Sequence, residues 1–132
     1  MLRRYETYRL IFETVDQLHG FNFPFQLAQE HYGGDNPLEA ICSSGSVKEG
    51  DLIILASDGM ADNIFSHEVN DMAEKSFQAE KLSGLAKKLA KQAVERSSNK
   101  EGNSPFAVKA SEWGISYKGG KVDDTTVIVA EI

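Results

Sequence analysis

The sequence predicts a small α+β domain, on three observations. Two apolar runs of strand length, 50–57 and 125–131, lie near the middle and at the end of the chain. Between them, two segments repeat apolar residues at threes and fours, the helical period. Glycine, proline and asparagine clusters punctuate the rest. With 132 residues, 41% hydrophobic and 26% charged, the chain has enough apolar material for one modest core.

Residues 5–15 alternate through Tyr8, Leu10 and Phe12 and are expected to form a strand. A strand starting so close to Met1 has no earlier element to pair with. Arg3 and Arg4 invite a transit-peptide reading, but Glu6 opposes it, because such peptides avoid acids. Residues 19–37, rich in phenylalanine and broken by two prolines and a Gly-Gly pair, predict a loop. "GDLIILAS", 50–57, predicts a short strand buried on both faces, and Asp58-Gly59 ends it in a tight turn.

Ser66 is expected to cap a helix over 66–76, with Val69, Met72, Ala73 and Phe77 on one face. A second helix over 81–96 carries Leu82, Leu85, Ala86, Leu89, Ala90, Ala93 and Val94 on its apolar side. Lys87, Lys88 and Lys91 oppose them as a solvated face. After the polar loop 97–104, Ser104-Pro105 opens a short helix that Gly114 ends. "GGKVDDTTVIVAEI" closes the chain with a glycine turn, two aspartates and a strand over 125–131. The sequence shows no repeat and no domain boundary.

Composition excludes some functions. A net charge of −6 supplies no basic field for nucleic acid or anionic lipid, and no apolar run is long enough to span a bilayer. One cysteine, Cys42, cannot form an internal disulfide and is expected to be a small loop or core residue rather than a nucleophile.

The carboxylates carry the chemistry. Asp58 leaves the end of one apolar strand, while Asp123 and Asp124 enter the start of another. If these strands pair antiparallel, Asp58 and one of the pair converge at a sheet edge, since neighbouring strands lie about 5 Å apart. With no Lys or Arg between them, such carboxylates repel unless a proton or metal intervenes. All-oxygen ligands favour Mg²⁺ or Mn²⁺ over zinc, and Gly59 lets backbone approach a bound group closely. An EF-hand is excluded, because "DGMADN" lacks the alternating ligands and closing Glu. The plain alternative is structural: Asp-Gly is a hairpin-turn signal, and Asp-Asp after Gly-Gly-Lys is an ordinary polar loop.

"GDLIILASDGMADN" followed by "GGKVDDTTVIVA" resembles the last two motifs of the metal-dependent type-2C (PPM) protein serine/threonine phosphatases. "QLHGFNFPFQLA", 17–28, and "SPFAVKA", 104–110, resemble segments of one branch of that family, often found in mitochondria or plastids. The resemblance spans about residues 5–132. It implies a four-layer α-β-β-α sandwich with two stacked antiparallel sheets, of which the chain is the C-terminal part. It also implies hydrolysis of phosphoserine or phosphothreonine by a metal-bridging hydroxide, with two Mn²⁺ or Mg²⁺ ions and no covalent phosphoenzyme. Asp58 and Asp123 match two metal-holding aspartates, and Asp62 matches a position that binds a third, weaker metal in some members. Gly59 and Asp124 match positions beside the ligands. The implied partner is a phosphoprotein substrate.

Departures from the family pattern are equally informative. No "DGVGG" or "DGHGG" occurs in residues 1–57, so the metal-bridging first Asp-Gly motif and the phosphate-binding Arg of the family's N-terminal half have no match. Val122 stands where this branch often has Pro, and Thr125 where an aliphatic residue is usual. His19, His31 and His67 match no catalytic histidine and are expected in loops or on the surface. Residues 1–132 are therefore expected to be a partial phosphatase domain lacking its N-terminal half and inactive alone. Half a sandwich also leaves sheet edges and an apolar face open to self-association. The competing reading is a non-catalytic pseudophosphatase or interaction module that binds a phosphoprotein or partner subunit.

Overall fold

The computed structural model describes residues 1–4, 7–28, 30–79 and 81–132. They form two compact units, residues 1–12 with 47–132, and residues 13–46.

The larger unit is built on a four-stranded antiparallel sheet of β1 (Leu2–Arg4), β2 (Tyr8–Leu10), β5 (Leu52–Ala56) and β6 (Val127–Glu131). Spatial order is β2-β1-β5-β6. The single strand expected over 5–15 is instead the second arm of a hairpin, with Leu2 opposite Leu10. Its predicted start at Tyr5 and Glu6 lies outside the described residues. Leu2–Arg4 thus supply the pairing partner for β2, and β1 continues onto β5 at Leu2 opposite Leu52. The expected antiparallel pairing of the two apolar runs is present, from Leu52 opposite Glu131 to Ala56 opposite Val127.

Among the described residues four α-helices follow β5: a single turn α1 (Asp58–Ala61), α2 (Ser66–Gln78), α3 (Leu85–Ser97) and α4 (Pro105–Glu112). The faces expected for α2 and α3 are largely those that pack. Val69, Ala73, Leu85, Leu89 and Ala93 are buried, with Met72, Phe77 and Leu82 against them. Val94 departs from this and is exposed, whereas Lys87, Lys88 and Lys91 lie outward as expected. Ser66 is the first helical residue of α2 rather than its cap. Phe65 takes the cap position, where its side chain offers no acceptor, and Glu68 reaches back to the Phe65 N–H at 3.0 Å.

The core joins these helices to one face of the sheet through Leu2, Tyr8, Leu52, Ile54, Val127 and Val129. Burial of β5 on both faces is not observed. Leu55 is 61% exposed and the Ile128 opposite it 56%, because side chains alternate across a strand and the helices cover only one side.

The smaller unit, expected as loop, contains a hairpin of β3 (Leu18–Gly20) and β4 (Phe23–Pro24), the second antiparallel sheet. His19 holds it to the following loop, bonding Asp35 at 2.7 Å and stacking on Phe25 at 3.8 Å. Both Gln17 amide groups bond backbone near residue 40, to the Glu39 carbonyl and the Ile41 N–H. Cys42 is exposed in this loop, and His31 and His67 are also exposed.

Candidate functional site

The paired ends of β5 and β6 bring the predicted carboxylates together. Where the ladder stops at Ala56 opposite Val127, Ser57 continues the connection. Its N–H donates to the Thr126 carbonyl, while its Oγ donates to the Asp124 carbonyl and accepts from the Thr126 N–H, each at 3.0 Å. Asp58 then starts α1, and its carbonyl accepts the Asp62 N–H at 2.7 Å. This places Asp58 and Asp62 one helical turn apart on the same side.

Gly59 is required by close approach. A Cβ there would collide with the Asp124 carbonyl and come within 2.9 Å of Thr125 Oγ1. The turn therefore seats directly on the segment that carries Asp123 into β6. Asp124 contributes its backbone: its N–H donates to Asp123 Oδ1 at 2.9 Å, and its carbonyl is the one held by Ser57.

Between the carboxylates lies a cation that sequence reasoning missed. Lys121 Nζ is 3.1 Å from Asp58 Oδ2, 2.9 Å from Asp62 Oδ2 and 2.8 Å from Asp123 Oδ2. The expectation of carboxylates with no Lys or Arg between them is thus corrected, since the residue two before Asp123 turns back into the cluster. Exposure runs from 10% for the Asp62 side chain to 64% for Asp58, so the cluster is closed on one side and open on the other. Burial tends to lower the Lys121 pKa, but bonds to Asp123, Asp62 and Asp58 outweigh it and hold the ammonium above the usual lysine range. Burial pushes the Asp62 carboxyl up against the pull of Lys121, whereas the Lys121 hydrogen bond draws Asp123 down.

Asn63 fixes the backbone on which Lys121 sits. Fully buried, its amide nitrogen donates to the carbonyls of Gly59 at 2.9 Å and Lys121 at 2.8 Å, and its oxygen accepts the Lys121 N–H at 3.0 Å. Arg96 Nη1 reaches the Asn63 carbonyl at 3.3 Å. The preceding Gly120 lies so close to the end of α3 that a Cβ would strike the Arg96 carbonyl. Ser104, predicted as a cap, accepts the Ala107 N–H and also donates to the Gly119 carbonyl at 2.7 Å. In the sequence these clamps read as ordinary polar residues, Asn63 between Asp62 and Ile64 and Ser104 between Asn103 and Pro105.

By donor chemistry the three carboxylates suit a hard divalent cation, and they already surround a positive charge. By arrangement, with the ammonium at their focus, no group of three or more His, Cys, Asp and Glu side chains among the described residues is shaped to hold a metal ion.

No family model matches the chain. It is 36% identical over 123 residues to "Probable protein phosphatase 2C 80" of Arabidopsis thaliana, covering 92% of this chain and 30% of that protein. It is also 36% identical over 133 residues to "Probable protein phosphatase 2C 71" of Oryza sativa subsp. japonica, covering 98% and 27%. "Protein phosphatase PTC7 homolog fig" of Drosophila melanogaster matches at 36% over 135 residues, covering 94% and 42%. Among solved structures, that of the photosystem II phosphatase PBCP superposes with a TM-score of 0.85 at 32% identity, covering 99% of this chain and 54% of that one. The chain spans less than half the length of these curated relatives.

Proposed function

We propose that the chain, 36% identical to protein phosphatase 2C relatives of which it spans less than half, belongs to that family and forms the C-terminal part of a metal-dependent protein serine/threonine phosphatase domain. Its substrates are phosphoserine and phosphothreonine in proteins. Asp58 and Asp123 are the carboxylates that would hold Mn²⁺ or Mg²⁺, and Asp62 is the candidate for a third, weaker metal. When bound, such ions activate water and neutralise phosphate oxygens. The chain's own part is positional: Ser57 and Asn63 hold the two aspartate-bearing turns in register, and Gly59 lets them touch.

The observation that supports this reading is the convergence of Asp58 and Asp123, delivered by paired strand ends onto one cation at 3.1 and 2.8 Å. In the complete domain, Asp58→Ala or Asp123→Ala should lower kcat on a phosphopeptide with Mn²⁺ by about 100-fold or more. Near-normal turnover by either variant would refute the assignment. The 132-residue chain by itself should turn over a chromogenic phosphate ester poorly. Robust, chelator-sensitive activity would show that this half suffices.

One observation favours a second reading, a non-catalytic interaction module: the three carboxylates already hold the Lys121 ammonium as a shared partner. A complete domain that binds a phosphopeptide without hydrolysing it would support that alternative.

A further inference from the structure

We propose that Lys121 is a resident counter-cation whose ammonium takes the position a divalent ion needs among Asp58, Asp62 and Asp123, so that metal enters this cluster only by displacing it. The inference rests on the phosphatase reading for the identity of the ion alone.

Three features of the geometry carry it. First, the ammonium has three N–H donors, and three carboxylates lie within 3.1 Å of it, so its hydrogen-bonding capacity is used up inside the cluster. Second, the Lys121 backbone is fixed at both its N–H and its carbonyl by the buried Asn63 amide. Exchange is therefore confined to the side chain, whose flexible four-carbon stem can swing while the strand entry stays in place. Third, Nζ lies over the Phe106 ring, 5.4 Å from its centroid, and the Asp58 carboxylate it also contacts is 64% exposed, so the cluster meets solvent at Asp58.

An ammonium and a divalent cation cannot share one focus about 3 Å from the same oxygens, because like charges at that range repel strongly even in a polar surrounding. Metal affinity is consequently reduced by the work of breaking the lysine contacts, and the metal-free cluster avoids the mutual repulsion of three carboxylates. Lys121 thus trades metal affinity for stability of the empty site.

Calorimetric titration of Mn²⁺ into the 132-residue chain tests this, comparing wild type with Lys121→Met and Lys121→Arg. Lys121→Met should bind Mn²⁺ at least about 10-fold more tightly than wild type, whereas Lys121→Arg, which keeps a cation, should show no gain. Adding Asp58→Ala to Lys121→Met should abolish the gain, locating it in this cluster. Circular dichroism keeps the test decisive if Lys121→Met unfolds without metal: recovery of helical signal on adding millimolar Mn²⁺ supports the proposal, and no recovery refutes it. Equal or weaker affinity in Lys121→Met, or no binding by any form, also overturns it. Failure of the phosphatase reading would appear separately, as turnover that survives Asp58→Ala in the complete domain.

Discussion

Asn63 is the residue on which the site's geometry most depends. Its amide makes three hydrogen bonds within a buried turn, and truncation would leave the Gly59 carbonyl and both Lys121 backbone groups without those partners. Asn63→Ala should cost about 2–4 kcal/mol in urea unfolding, near the upper end for buried polar groups left unpaired. A loss below about 0.5 kcal/mol would mean that the clamp is dispensable. Two ion pairs are expected to make the fold sensitive to acid. The Arg3 guanidinium holds the buried Asp51 carboxyl below its ordinary range through bonds at 3.0 and 2.8 Å, and Arg96 does the same to Glu68. A carboxyl with a lowered folded pKa contributes stability above its unfolded value, near pH 4, and loses it as pH falls through the folded value. Melting temperature should therefore drop steeply below about pH 4, and Asp51→Asn should start lower and respond less to acid. Parallel acid profiles for the two forms would exclude this role for Asp51.

At the scale of elements, the loop between α4 and β6 is held by helix ends rather than by its own sequence. Ser104 both caps α4 and anchors the Gly119 carbonyl, and Gly120 is pressed against the last carbonyls of α3. Ser104→Ala should cost about 1–2 kcal/mol as a lost cap, and more if the anchor counts separately. Ser104→Asp, which can still cap but cannot donate to Gly119, separates the two contributions. If it restores wild-type stability in thermal melts, only the cap matters. The helices themselves were legible because period and packing agree: Val69 and Ala73 on α2, and Leu85, Leu89 and Ala93 on α3, are the residues that lie in the core. Cap identity was legible at Ser104 but not at Ser66. Ser66 looks like a cap, yet the helix begins at it, because Glu68 two residues on satisfies the Phe65 N–H instead.

Across the whole molecule, one face of the β5–β6 pair stays apolar and open at Leu55 and Ile128. An open apolar face of this kind is expected to favour self-association of the 132-residue chain. Wild type should sediment with concentration-dependent mass, and a Leu55→Lys/Ile128→Lys variant should sediment as a monomer. Identical sedimentation of the two would place any association elsewhere.

The sequence by itself determined the strand-turn-helix order from residue 50 onward, the antiparallel meeting of 50–57 with the final strand, and the convergence of Asp58 with Asp123. Local period and turn chemistry carry that information over short spans, and one antiparallel pairing fixes which ends meet. Only the tertiary structure decided that Leu2 to Arg4 pair with β2 and, at Leu2, with β5, that β5 is covered on one face, and that Lys121 occupies the carboxylate cluster. Each of these depends on which surfaces meet across tens of residues. Lys121 shows why: in sequence it is one more charge in a polar loop, and its place among three aspartates follows from a buried amide 58 positions away that clamps its backbone.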